Sequence, residues 1–191
     1  MLDKQDVDEL LQYMNEKDSQ RELLIKKSRD VLKLSKQVIY SVHRSDIETA
    51  KKQSAEIKKE FKAMKSIAAK KPALLSVGAY RVAVQEYVEA VCYLNYVADN
   101  KIPTHKELEV DPQLYLVGLC DLTGEIVRKA INNVIKGDNE SALKTKTFVE
   151  EIYGVLIKFD FRDGELRKGF DRVKYDLRRL EDVALNIKLK G

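Results

Sequence analysis

The sequence predicts an all-α protein, a single bundle of about seven helices spanning residues 1–191. Three observations predict it. Only 8 Gly and 3 Pro punctuate 191 residues, and long uninterrupted segments suit helices better than strands, which need frequent turns. Charged residues make up 35% of the chain, against about 25% in an ordinary domain, as long solvated helix faces require. Apolar residues recur in steps of three and four along several segments, and no segment alternates with period two for long enough to be a strand.

Each element has its own signal. A short helix is expected over Lys4 to Asn15. A long one follows from about Ser19 to Arg44, with the stripe Leu24, Ser28, Val31, Ser35, Val38, Val42. Ser45 and Glu48 read as a capping box that starts the next helix. Its stripe is Ile47, Ala50, Ser54, Ile57, Phe61, Met64, Ala68, a heptad spacing that marks lengthwise packing. Lys70-Lys71-Pro72 breaks the pattern, and a third long helix is expected from about Leu74 to Ala98. Thr104 and Glu107 read as the cap of a single helical turn. Asp111-Pro112 is a strong helix start, an N-cap residue followed by proline at the first position. That helix ends at Gly137. Asp138 or Asn139 caps another, to about Ile157. After a loop over Lys158 to Gly164, the last helix carries Leu166, Phe170, Val173, Leu177, Leu180, Ala184, Ile187 and ends at Gly191.

Charge and cysteine usage narrow the function classes. The net charge of +4 is mild, but basic residues outnumber acidic ones heavily from Arg21 to Lys71, which suits an anionic partner or a Lys-rich solvated face. Cys92 and Cys120 lie in apolar segments and read as buried thiols, not a disulfide framework. No apolar run reaches the ~20 residues a bilayer span needs, and the polar, acidic stretch Met1 to Glu9 does not read as a signal peptide. A cytoplasmic protein with no membrane partner is expected.

Two motifs carry chemistry. At about 100° per residue, Lys26, Arg29, Lys33, Lys36, Tyr40 and Arg44 fall within an arc of about 80°, opposite the core stripe. Such a row can track a phosphate backbone while the tyrosine stacks on a base. It can equally be the solvated face that any amphipathic helix presents. The second motif is acidic. Glu86 and Glu89 stand at i and i+3 in an apolar stretch with no Lys or Arg three or four residues away, and Asp121 and Glu125 stand at i and i+4 in another. Gly118 and Gly124 flank Asp121 in mid-helix, where glycine permits close approach of a neighbour at a cost of about 1 kcal/mol each. If the two helices face each other, four carboxylates converge. Hard oxygen ligands suit Mg²⁺ or Mn²⁺, ions that activate water and stabilise charge in phosphodiester cleavage. The same residues could instead form structural salt bridges, Glu125 with Arg128 or Lys129 on its own helix and Glu86 and Glu89 with cations of a neighbour.

Gln85-Glu86-Tyr87-Val88-Glu89-Ala90 and Asp121-Leu122-Thr123-Gly124-Glu125 closely resemble two signature stretches of translin-associated factor X, in the translin family. Leu24 through Asp30, His43-Arg44, Lys174-Tyr175-Asp176-Leu177 and the run to Gly191 look like the same family, in a compact, archaeal-type form. The resemblance implies an all-α bundle of seven helices that assembles into closed hollow oligomers, often octamers, around RNA or single-stranded DNA. It also implies a Mg²⁺-dependent ribonuclease, with Glu86, Glu89 and Asp121 as catalytic metal ligands and Glu125 as a fourth ligand or supporting group. A homo-oligomer would place a site in every subunit. The expected function is therefore RNA binding and cleavage. A non-catalytic nucleic-acid-binding oligomer and a helical scaffold for protein partners are the alternatives.

Overall fold

The computed structural model describes residues 3–162 and 164–190, all helix, turn and loop. Six α-helices follow one another: α1 (Lys4–His43), α2 (Ile47–Ala68), α3 (Gly78–Asp99), α4 (Pro112–Ile135), α5 (Asn139–Leu156) and α6 (Gly164–Lys190). A 3₁₀ turn, Pro72–Ser76, joins α2 to α3.

The helices are where the apolar stripes require them. All six stripe residues of α1 from Leu24 to Val42 are buried, as are those of α2 from Ala50 to Ala68. They meet α3, whose Tyr87 ring stacks on Phe61 at a centroid distance of 3.9 Å. α1 packs on α2 and α3; α4 packs on α3, α5 and α6. The core runs through these contacts, with a smaller cluster at Cys120, Leu156 and Val173 where α4, α5 and α6 meet. Both cysteines are buried free thiols, as expected.

Two local expectations are corrected. The first two helices are one, a 40-residue α1. Glu16-Lys17-Asp18-Ser19 contains no glycine or proline, and Gln12 donates to Glu16 one turn on at 3.1 Å, so nothing interrupts propagation. This is why six helices stand where about seven were expected. The cap of α2 is Asp46, not Ser45: Asp46 Oδ1 accepts from the Thr49 amide at 3.1 Å, while Ser45 sits at φ 63° in the turn before it. Asp46→Ala is expected to destabilise the chain by about 1 kcal/mol in a denaturant titration, with Ser45→Ala near neutral.

Other signals hold. Asp111 caps α4 by accepting from the Gln113 and Leu114 amides, with Pro112 at the first position, and Asp138 caps α5. Thr104 and Glu107 form a reciprocal box: Glu107 Oε2 accepts from the Thr104 amide at 2.7 Å, and Thr104 Oγ1 from the Glu107 amide at 3.2 Å. α3 starts at Gly78, four residues later than expected, because Leu74 belongs to the 3₁₀ turn. The expected end at Gly191 lies outside the described residues. No described helix is long and apolar enough to cross a membrane.

Candidate metal and nucleic-acid site

α3 and α4 do face each other, and a glycine sets how closely. A Cβ on Gly118 would lie 2.7 Å from Val88 Cβ and 2.9 Å from the Gln85 carbonyl oxygen. Gln85 and Val88 directly precede Glu86 and Glu89, and Gly118 lies less than one turn before Asp121. The contact that only glycine permits is therefore the one that brings the two acidic segments to one level. Gly124 plays a different part. It lines the cleft, and a Cβ there would find ordinary space, 3.8 Å from Asp176 Oδ2.

Glu86, Glu89, Asp121 and Glu125 line one cleft of about 1000 Å³. α1 crosses its rim and contributes Lys36, Tyr40 and His43; α6 forms the far wall with Lys168, Asp171, Arg172, Tyr175 and Asp176. The six residues of the α1 basic face, Lys26, Arg29, Lys33, Lys36, Tyr40 and Arg44, are all exposed. Only Lys36 and Tyr40 of them enter the cleft. Lys26, Arg29 and Lys33 continue the row along α1 for about 15 Å, at 1.5 Å per residue. Arg44 stays beside Tyr40, its guanidinium 5.7 Å from the ring centroid and donating to the phenol oxygen at 3.3 Å.

The carboxylates divide into two kinds. Glu125 contacts His43 Nε2 and lies 3.5 Å from Arg128 on its own helix. The His43 hydrogen bond, with help from Arg128, holds its carboxyl below the usual range. His43 is itself held, its Nδ1 3.1 Å from the Tyr93 hydroxyl. Asp121 contacts Arg172, yet burial still pushes its carboxyl up against that cation. Glu86 and Glu89 have neither a hydrogen bond nor an ion pair among the described residues. Burial pushes both up, and Glu89 reaches about 9 because Glu86, Asp121 and Glu125 add like charge to its burial. So the salt-bridge reading holds for Glu125 with Arg128 and fails for the α3 pair. Cys120 also lines the cleft, but burial raises its thiol to about 12, which leaves it without thiolate character near neutral pH.

An all-oxygen donor set in which Glu86 and Glu89 have no cationic partner among the described residues fits a hard divalent cation. Among the described residues, no three His, Cys, Asp or Glu side chains stand close enough to grip an ion as they lie. Two of the four donors are engaged by Arg172 and His43, so loading requires those side chains to move.

The Translin family sequence model matches residues 19–191. The chain belongs to the translin family. An uncharacterized protein of Methanocaldococcus jannaschii is 32% identical over 93% of this chain and 76% of its own length. Translin-associated protein X of Pongo abelii is 26% identical over 94% of this chain and 76% of its own. Translin of Gallus gallus aligns with 51% of this chain, which spans 41% of that protein. A solved structure of apo-NeC3PO superposes with a TM-score of 0.89 at 32% identity, covering 97% of both chains. A structure of an AfC3PO–duplex RNA complex does so at 0.88 and 26%, again covering 97% of both.

In this translin-family chain the sequence reading missed the whole α6 wall. Lys168, Asp171, Arg172 and Tyr175 recur in steps of three and one beside the apolar stripe, a polar face that periodicity alone could have marked. His43 lies three residues beyond Tyr40, and its side chain is only 8% exposed, whereas the sequence placed the basic face in solvent. Asp176 was also missed. Its buried carboxylate lies 2.8 Å from the Thr123 hydroxyl, which is also 2.8 Å from the Cys120 carbonyl. That single proton serves one acceptor at a time. Thr123→Val is expected to destabilise the chain by about 1–3 kcal/mol in thermal or urea unfolding, since it leaves Asp176 without this partner.

Proposed function

We propose that this chain is a divalent-metal-dependent endoribonuclease, assembled from copies of itself, that binds RNA along α1 and hydrolyses phosphodiester bonds in the carboxylate cleft. The observation that carries the reading is the convergence of four carboxylates from α3 and α4 at the end of an exposed row of cations. A pure binder gains nothing from partly buried carboxylates that have no partner among the described residues and face phosphates, because their ionisation is costly and they repel the ligand. The family membership and the RNA complex of a similar chain support RNA as the partner.

Glu86, Glu89 and Asp121 would hold Mg²⁺ or Mn²⁺, with Glu125 assisting from its place beside His43. When bound, such an ion supplies activation of water and neutralisation of phosphate charge. Lys36 meets the backbone where it enters, and Tyr40 offers an exposed ring on which a base can stack. Tyr93 fixes the orientation of His43, and His43 that of Glu125.

The deciding experiment incubates labelled single-stranded RNA with the purified chain in Mg²⁺ or EDTA, beside a Glu89→Ala variant. Cleavage should require the metal and the carboxylate. Cleavage that survives EDTA or the substitution overturns the metal site, and binding without cleavage in any divalent metal favours the non-catalytic binder. The α1 row has its own check. The double variant Lys33→Gln/Lys36→Gln should flatten the slope of log affinity against log salt by about 1.4, at about 0.7 per phosphate contact on a single strand. An unchanged slope would assign the row to solvent.

A further inference from the structure

The backbone around Arg172 is tied at two points, and its side chain is half-exposed. One turn before it, Gly169 seats α6 on α4, where an added Cβ would lie 3.1 Å from Cys120 Cβ. A further turn back, Glu165 accepts from Arg81 Nη2 at 3.0 Å and Gln85 Nε2 at 2.7 Å, tying the start of α6 to α3. Both ties flank the carboxylates, so the Cα of Arg172 has a set place on the cleft wall. Its side chain, by contrast, is 53% exposed, and its guanidinium contacts Asp121 alone among the cleft carboxylates.

That contact engages Oδ1 of Asp121, on a carboxylate that the proposed ion also requires. A guanidinium and a divalent cation repel one another, and they cannot share one carboxylate at contact distance without a large Coulomb cost. An ion that takes Asp121 therefore displaces Arg172. The planar fork that matches a carboxylate also matches a phosphate, and the cleft that receives RNA brings phosphates to the same wall.

We propose that Arg172 exchanges partners: it competes with the metal for Asp121 in the free chain and, once displaced, clamps a phosphate beside the scissile bond. This rests on the metal-dependent reading above. In the free chain the guanidinium keeps Asp121 compensated. In the loaded chain it becomes a cation already positioned for substrate.

The test measures Mn²⁺ affinity by titration calorimetry, without RNA, for the wild type, Arg172→Gln, Arg172→Lys and Lys168→Gln. Lys168 lies one turn away on the same wall and controls for the general effect of removing a positive charge. Arg172→Gln should bind Mn²⁺ about tenfold tighter than wild type, and Lys168→Gln less than about threefold tighter. Arg172→Lys should stay near wild type. At saturating metal, Arg172→Gln should lower kcat for single-stranded RNA by about a hundredfold, with Arg172→Lys intermediate. Equal gains in affinity for Arg172→Gln and Lys168→Gln overturn the competition, and an unchanged kcat overturns the clamp. A wild type that binds no Mn²⁺ overturns the metal reading itself. A wild type that binds while Arg172→Gln binds no tighter overturns this inference alone.

Discussion

Glu89→Gln is expected to abolish cleavage and, without metal, to make the chain more stable. Both effects have one cause. Glu89 is the carboxyl most strongly raised in the cleft, from an ordinary 4.5 to about 9, by burial first and then by Glu86, Asp121 and Glu125. Between those two values the folded chain holds a proton that the unfolded chain has released. Stability therefore falls as pH rises through that window. Glutamine is nearly isosteric and carries no such proton. At pH 7.5 the variant should gain about 1–3 kcal/mol, a rise in Tm of about 5 °C for a chain of this size. The gain should be small near pH 5 and grow toward pH 9. Added Mg²⁺ should narrow it, because an ion that binds only the folded wild type stabilises it by mass action. In the same variant kcat should fall on the order of a thousandfold, as expected when a principal charge-stabilising group is lost. Wild-type metal affinity should rise with pH, since Glu89 must lose its proton to serve as a ligand. A Glu89→Gln variant that melts at the wild-type temperature at every pH would remove the argument that this carboxyl is held at a cost to the fold.

Gly118→Ala is expected to lose stability and activity together. A methyl group there would lie 2.7 Å from Val88 Cβ and Cγ1 and 2.9 Å from the Gln85 carbonyl oxygen. Val88 Cγ1 can move a little, but Val88 Cβ and the Gln85 carbonyl are set by the α3 backbone and cannot. α3 and α4 must therefore separate. Overpacking of this kind costs about 1–3 kcal/mol and sometimes more, against about 1 kcal/mol that alanine returns through helix propensity. Because the clashing atoms are set by backbone, the upper end applies, and a net loss of about 2 kcal/mol, or roughly 6 °C in Tm, is expected. Activity should fall further than stability does, because the same separation moves Glu86 and Glu89 away from Asp121. Val88→Ala in the Gly118→Ala background should restore only a small part of the stability, since the Cγ1 clash is removed while those with the Cβ of residue 88 and the Gln85 carbonyl stay. A Gly118→Ala variant with wild-type or higher Tm would show that the two helices are not held at this distance.

The legible part of the site was its acidic half. Glu86 with Glu89, and Asp121 with Glu125, stand out because carboxylates at helical spacing in apolar stretches conflict with the environment around them. The glycines beside Asp121 stand out for a similar reason, since each weakens the helix that holds it. Gly118 justified that reading by its contact with Val88, whereas Gly124 only lines the cleft. The basic face of α1 was legible as a face but not as a path. Periodicity fixes the angle of Lys26, Arg29, Lys33 and Lys36 around their own helix. It says nothing of the cleft at whose rim Lys36 and Tyr40 stand. The α6 wall was not legible as part of the site, because Lys168, Arg172 and Tyr175 are ordinary residues for a solvated helix face until another helix stands opposite them.

The sequence by itself determined the helical class, the buried stripes of α1 and α2, the partly buried stripe of α6, the cap at Asp111 and the two acidic motifs, and it narrowed the cap of α5 to Asp138 or Asn139. All of these depend on interactions within a few turns of one helix, which spacing records directly. Only the tertiary structure decided that α3 and α4 meet at Gly118, that His43 stands against Glu125 and Arg172 against Asp121, and that Glu86 and Glu89 have no partner among the described residues. Those pairings join residues 51 and 82 positions apart. They are set by how closely whole helices approach, which no local period encodes.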